Sequence, residues 1–177
     1  ATLVTASRRQ ATEIDPEAVR PRNVILVIGD GMGLSAVSAG YYFQEEESQF
    51  SRFKHIGLIK TSSASHKITD SAASGTAFAC GKKTSNGALG VDTLEAGIDN
   101  IVELLSPMGW STGIVASSSV THATPASFYA HVDNRGKEEE ISAQLVESYI
   151  DFFAGGGTAL FASRSDGVDL LQTAAEK

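Results

Sequence analysis

The sequence predicts an α/β protein with a mostly parallel sheet sandwiched by helices. Short runs of consecutive aliphatic residues, the composition of strands buried on both faces, end in glycine or small polar residues and give way to segments of helical periodicity. No repeat, low-complexity tract or long apolar stretch interrupts that alternation over 177 residues, so the pattern suits one soluble globular domain or a piece of a larger one.

Val24-Ile25-Leu26-Val27-Ile28 is the first strand expected, entered after Pro21 and closed by Gly29-Asp30-Gly31-Met32-Gly33. A helix follows from Leu34 to about Gln44 and stops before the acidic run Glu45 to Glu47, which reads as solvated surface. Gly57 to Thr61 is the second strand expected, leading into a Ser/Thr-rich loop from Thr61 to Ser65. Ser71 to Cys80, rich in Ala, Ser and Gly, predicts a helix able to approach a neighbouring backbone closely, with Gly81 as its stop. Ile98, Ile101, Val102, Leu104, Leu105 and Met108 fall on a 3.6-residue period ended by Pro107-Met108-Gly109. Thr112 to Ser117 is the third strand expected. Ile141, Leu145, Val146, Tyr149 and Ile150 then form one face of a helix with Glu138, Glu139 and Glu140 at its start, where the helix dipole favours negative charge. A turn at Gly155-Gly156-Gly157 and a tail helix from about Asp166 to Glu176 complete the pattern. Three β-then-α units wound by right-handed crossovers place the functional loops at the C-terminal ends of the strands.

Composition narrows the function. With 14 Lys plus Arg against 21 Asp plus Glu, the net charge of -7 opposes a nucleic-acid partner. Cys80 is the only cysteine, which leaves no internal disulfide and no cysteine-based zinc knuckle. Ala1 to Gln10 lack the apolar core of a signal peptide, so the chain reads as a mature or trimmed start. His55, His66, His122 and His131 are too far apart in sequence for a local HxxxH pair, so a metal site would lean on oxygen ligands or distant histidines. His131 is expected in a helix, and His55 and His66 facing solvent.

Three loops carry residues with chemistry. Asp30 follows the first aliphatic run between glycines that let its carboxylate approach a bound group; the same Gly-Asp-Gly also suits a plain turn. It matches neither a dinucleotide fingerprint nor a Walker loop. Ser71, preceded by Thr69 and Asp70, stands where unpaired helix amides favour negative charge, and equally where a capping residue belongs. No G-x-S-x-G elbow or neighbouring histidine activates that serine. The remaining route is a metal ion that lowers the pKa of the hydroxyl, with a carboxylate such as Asp30 close by. His122 and Thr124 follow the third strand, and Arg135 offers a planar fork matching two oxygens of a phosphate or carboxylate.

Four ordered segments resemble the alkaline phosphatase family: Asn23 to Gly33, Ile68 to Thr76, Thr84 to Asp92, and Thr121 to Ala126. The resemblance runs from about Pro21 to Gly157. It implies that Ser71 is a nucleophile that becomes phosphorylated, that Asp30 bridges a zinc and a magnesium ion, and that Thr124 is a magnesium ligand. It further implies that Arg135 grips phosphate with Asp70 orienting it, and that His122 stands at a metal position where other branches carry aspartate. Implied with these are two Zn2+ and one Mg2+, phosphate monoester substrates, inorganic phosphate as product, export to the periplasm or outside the cell, and a possible homodimer. The family draws most of its zinc ligands from segments far downstream, and a two-zinc site needs roughly six to eight protein ligands. Residues 1–20 are therefore expected to be an N-terminal extension and 21–177 the N-terminal part of a single domain, inactive by itself and completed by a C-terminal remainder. The alternatives carried beside this are a non-catalytic phosphate-binding module and another hydrolase of the phosphatase and sulfatase superfamily, such as a phosphodiesterase.

Overall fold

A computed structural model describes residues 22–175; the expected extension over 1–20, Pro21 and the end of the tail helix at Glu176 lie outside the described residues. The elements in chain order are α1 (Leu34–Phe43), α2 (Ser71–Cys80), α3 (Ile101–Leu105), β1 (Gly113–Ser119), α4 (Ala123–Ala126), α5 (Glu138–Glu147), β2 (Phe152–Gly156), α6 (Ala159–Ala162) and α7 (Leu170–Ala175).

The third expected strand is β1, and its partner is one the sequence pattern hides. Phe152 to Gly156 pairs with it in parallel, Gly113 opposite Phe152, Ile114 opposite Phe153 and Val115 opposite Ala154; after an irregularity Ser119 faces Gly156. Gly155 and Gly156, expected in a turn, are thus strand residues. A Cβ on Gly155 would lie 2.8 Å from Val120 Cγ1 and 3.0 Å from the carbonyl oxygens of Ala116 and Ser118, so glycine is what permits this close approach. Gly157, at φ +100°, alone makes the turn into α6.

The two earlier runs are a correction. Val24 to Ile28 and Gly57 to Thr61 form no ladder among the described residues. Their side chains face outward, with Ile25 87%, Val27 85% and Leu58 90% exposed. Composition suits a residue to burial within a sheet, but a strand exists only where a neighbour supplies hydrogen bonds. One parallel βαβ connection, β1 through α4 and α5 to β2, stands where three β-then-α units were expected.

The core lies between the sheet and α2, α4, α5, α6 and α7, and is built from Ala72, Leu89, Val120, Ala126, Ile141 and Leu145 among others. The remaining helices show why each begins and ends. Asn100 and Glu103 form a reciprocal capping box at α3: Asn100 Oδ1 accepts from the Val102 and Glu103 amides at 2.9 and 3.1 Å, and Glu103 Oε2 accepts from the Asn100 amide at 2.8 Å. That box starts the helix at Ile101 rather than Ile98, and Pro107 converts its end into a 3-10 turn over Ser106–Met108. In α5 the three glutamates occupy the first turn while Ile141, Leu145 and Val146 are buried. The helix stops at Glu147, before Tyr149 and Ile150, because Ser148 turns extended.

α2 and α4 position the site. Ala72, Ala73, Gly75, Thr76 and Ala79 are buried along α2. A Cβ on Gly75 would collide with Ser127 Oγ and stand 3.0 Å from Ser127 Cβ, just past α4. Small side chains therefore set how near the two helices come. Gly81, in the left-handed conformation at φ +68°, ends α2.

Gly75→Ala is expected to lower unfolding free energy by about 1–3 kcal/mol through overpacking. Adding Ser127→Ala, which removes the hydroxyl but keeps the Cβ, should recover part of that loss in urea melts. An unchanged midpoint in the single variant would show that the helices can separate without penalty.

Candidate active site

The turn that ends the first aliphatic run points Asp30 toward α2. The Met32 amide donates to the Gly29 carbonyl at 3.1 Å, and Gly31 takes φ +68°, a value natural for glycine. The Asp30 carboxylate then reaches two hydroxyls from distant parts of the chain. Ser71 Oγ, the first residue of α2, donates to Oδ1 at 3.0 Å, and Thr124 Oγ1, in α4, donates to Oδ2 at 2.8 Å.

Behind Ser71, Asp70 is the N-cap of α2 and holds three donors. Its Oδ1 accepts from the Ala73 amide at 2.9 Å, while Oδ2 accepts from the Gly87 amide at 3.0 Å and from Arg135 Nη1 at 3.4 Å. The other arm of the guanidinium, Nη2, stands 3.1 Å from His122 Nε2. Arginine can only donate, so this nitrogen of His122 accepts and the ring proton sits on Nδ1, 4.0 Å from Asp30 Oδ2. Contacts thus close a ring: Asp30, Ser71, Asp70, Arg135, His122 and back to Asp30, with Thr124 joined at Asp30. All six residues singled out from the sequence meet in one place, drawn from two loops and two helix starts.

Asp30 is held below the usual carboxylate range, foremost by the Thr124 hydrogen bond and then by the Ser71 hydrogen bond and the nearby His122 and Arg135, which together outweigh partial burial. A carboxylate with a depressed pKa binds its proton more weakly when folded. Its contacts therefore contribute at neutral pH and are lost as pH falls through the folded pKa.

The donor set decides what the site can hold. A carboxylate and the Thr124 and Ser71 hydroxyls are hard oxygen donors, and both Asp30 oxygens already face such groups at 3.0 and 2.8 Å. This fits one hard divalent cation such as magnesium, with His122 alongside. Among the described residues no group of three or more His, Cys, Asp or Glu is placed to bind metal.

Sequence reasoning missed two features. His131 is not in a helix: its Nδ1 lies 2.6 Å from the Gly90 carbonyl and its Nε2 2.8 Å from Glu103 Oε1, which ties the loop before α5 to the cap of α3. His55 and His66 are exposed, as expected. The turn at Asn86-Gly87 touches both Asp70 and Arg135; it lies in the Thr84 to Asp92 segment, and its local signal is the Asn-Gly dipeptide that marks turns.

The chain and its fold have known counterparts. The family model described as "Alkaline phosphatase" matches residues 21–173. An alkaline phosphatase of Schizosaccharomyces pombe is 39% identical over 176 residues, covering 89% of this chain and 33% of its own length; that of Escherichia coli is 35% identical, covering 80% and 36%. The alkaline phosphatase of the Antarctic bacterium TAB5 superposes with a TM-score of 0.81 at 52% identity, over 83% of this chain and 43% of that one. A variant of it with magnesium bound in its M3 site superposes equally well, at 50% identity. The chain belongs to the alkaline phosphatase family and carries an incomplete form of its α/β fold. It spans about a third of the length of the curated relatives it matches.

In chelated buffer, a carbon-detected NMR titration should place the Asp30 carboxyl below the ordinary aspartate midpoint, and Thr124→Val should raise it. A midpoint that does not move in the variant would remove the Thr124 hydroxyl as the main cause.

Proposed function

We propose that this chain supplies the nucleophile and the phosphate grip of a metal-dependent phosphomonoesterase that works through a phosphoserine at Ser71. The observation that carries the reading is the Ser71 hydroxyl held 3.0 Å from Asp30 at the start of α2, beside the arginine tied to the α2 cap.

Each residue has a distinct part. Asp30 takes the hydroxyl hydrogen of Ser71, which fixes the Oγ rotamer and leaves its lone pairs for phosphorus. With its pKa depressed, Asp30 remains a carboxylate through neutral and alkaline pH. Arg135 spends one N–H on Asp70 and one on His122, and its remaining N–H groups are free to take two non-bridging oxygens of a phosphate. Asp30 and Thr124 would hold a divalent cation, which supplies positive charge beside the Ser71 oxygen and so favours its deprotonation. The Ser71 hydroxyl gives up its proton to solvent as Oγ attacks phosphorus, the bond to the leaving oxygen breaks, and that oxygen is protonated from solvent. Water then attacks the phosphoserine, the Ser71 Oγ–P bond breaks, and the serine regains a proton. Two inversions give net retention at phosphorus. A site that reads the phosphate and not the leaving group accepts many monoesters.

The 21–177 segment is read as the N-terminal part of one domain whose remainder brings the ligands for two zinc ions, so that the short chain by itself is inactive. Export to the periplasm or the medium, and a homodimer of the longer enzyme, belong to the same reading. Among the described residues no helix is long and apolar enough to cross a membrane.

Hydrolysis of p-nitrophenyl phosphate at alkaline pH, with zinc and magnesium, should appear in a chain extended to family length and be absent from residues 1–177 alone. Robust turnover by the short chain would refute the need for further ligands. In the extended enzyme Ser71→Ala should abolish acid-stable labelling by radioactive phosphate, and Arg135→Ala should lower kcat/KM by roughly 10²–10³-fold. Labelling that survives Ser71→Ala would move the nucleophile elsewhere. A bis-ester or sulfate ester cleaved faster than the monoester would favour the phosphodiesterase or sulfatase alternative, and phosphate affinity unchanged by chelation would favour a binding module.

A further inference from the structure

We infer that the Asn86-Gly87 turn is a positioning element that sets where Arg135 presents its guanidinium, an inference that rests on Arg135 being the phosphate grip. Gly87 uses both main-chain polar groups on the two ends of that arginine's arrangement. Its amide donates to Asp70 Oδ2 at 3.0 Å, the carboxylate oxygen that also pairs with Arg135 Nη1. Its carbonyl accepts the backbone amide of Arg135 at 2.7 Å. One glycine thus spaces the Arg135 backbone from the partner of its side chain.

Asn86 anchors the same turn to the segment that leads into Ser71. Its amide donates to Ser65 Oγ at 2.9 Å, and its side-chain Nδ2 donates to the Ile68 carbonyl at 3.1 Å. Upstream contacts continue that seam: the Ala64 amide donates to the Thr84 carbonyl at 2.9 Å, and Lys83 Nζ donates to the Ser62 carbonyl and, at 3.0 Å, to Ser62 Oγ. Residues 83–87 are stitched on one side to the approach to the nucleophile and on the other to the cap and the arginine.

Stability explains this arrangement poorly. Asn86 Oδ1 is buried with no hydrogen-bond partner among the described residues, which weakens the fold, and reversing the amide would set two carbonyl oxygens against each other at Ile68. Gly87 stands at φ +89° with nothing within 4 Å of a would-be Cβ, so the residue is required by backbone angle and not by space. Gly87→Ala therefore perturbs the turn without adding a clash.

The test is made in the full-length enzyme that carries these residues, reading the inhibition constant for inorganic phosphate together with KM and kcat for p-nitrophenyl phosphate. Asn86→Ala and Gly87→Ala should each raise the phosphate constant and KM on the order of ten-fold, with kcat at saturation changing less. In an Arg135→Ala background the same substitutions should change the phosphate constant less than two-fold, because a turn that acts through the arginine has nothing left to place. Equal factors in both backgrounds would show a purely structural role and overturn the inference, as would an unchanged constant in a folded Asn86→Ala or Gly87→Ala enzyme. Labelling lost in Ser71→Ala upholds the functional reading independently of either outcome, and a phosphate constant unchanged by Arg135→Ala alone overturns the phosphate grip and this inference with it.

Discussion

The arrangement depends on the Asp70 carboxylate. As N-cap it satisfies an amide that the first turn of α2 would otherwise leave open, a contribution of about 1 kcal/mol to such a helix. Its second oxygen leaves the helix and binds Gly87 and Arg135, from parts of the chain 17 and 65 residues away. Helix formation and assembly of the phosphate grip are thereby coupled. The start of α2 cannot be well ordered without presenting the anchor that Arg135 needs, and Ser71 is carried along as the next residue.

Small residues make that coupling possible at short range. α2 buries alanine, glycine and threonine rather than leucine or phenylalanine, so its backbone can lie against α4 and bring Ser71 and Thr124 to opposite oxygens of one carboxylate. Larger side chains would bury more apolar area and stabilise more, yet they would hold the two hydroxyls apart. Geometry at the site is favoured over the strength of the core beneath it.

The apolar runs at Val24 to Ile28 and Gly57 to Thr61 show the other side of this economy. They have the composition of central parallel strands, they flank the turn that presents Asp30 and the approach to Ser71, and they are exposed. A parallel strand gains its stability from hydrogen bonds on both edges and helices on both faces. Among the described residues the Asp30 carboxylate is held by the Ser71 and Thr124 hydroxyls at its tip.

Much of the fold and nearly all of the site could be read along the chain. A cap at Thr69 to Ser71, the stop at Gly81 and the glutamates at the start of α5 are local consequences of residue type and spacing. The residues that converge, Asp30, Asp70, Ser71, His122, Thr124 and Arg135, stood out because their chemistry is concentrated after aliphatic runs and at helix starts. Strand status could not be read in the same way. Val24 to Ile28 looks stronger as a strand than Phe152 to Gly156, yet only the latter pairs, because a ladder needs a partner at the right height and register, and Gly155 can approach β1 where any Cβ would collide. The roles of His131 and the Asn86-Gly87 turn likewise could not be read locally, since they lie in what these residues touch across 17 to 48 residues of chain: Glu103 and Gly90 for the one, Asp70 and Arg135 for the other. The sequence by itself determined which groups could do chemistry and where α2 begins and ends, because those follow from the covalent character of each residue and its near neighbours. Tertiary structure alone decided which strands exist, which oxygen faces which hydroxyl, and which turn holds the arginine, because hydrogen bonds between distant segments have no counterpart in local order.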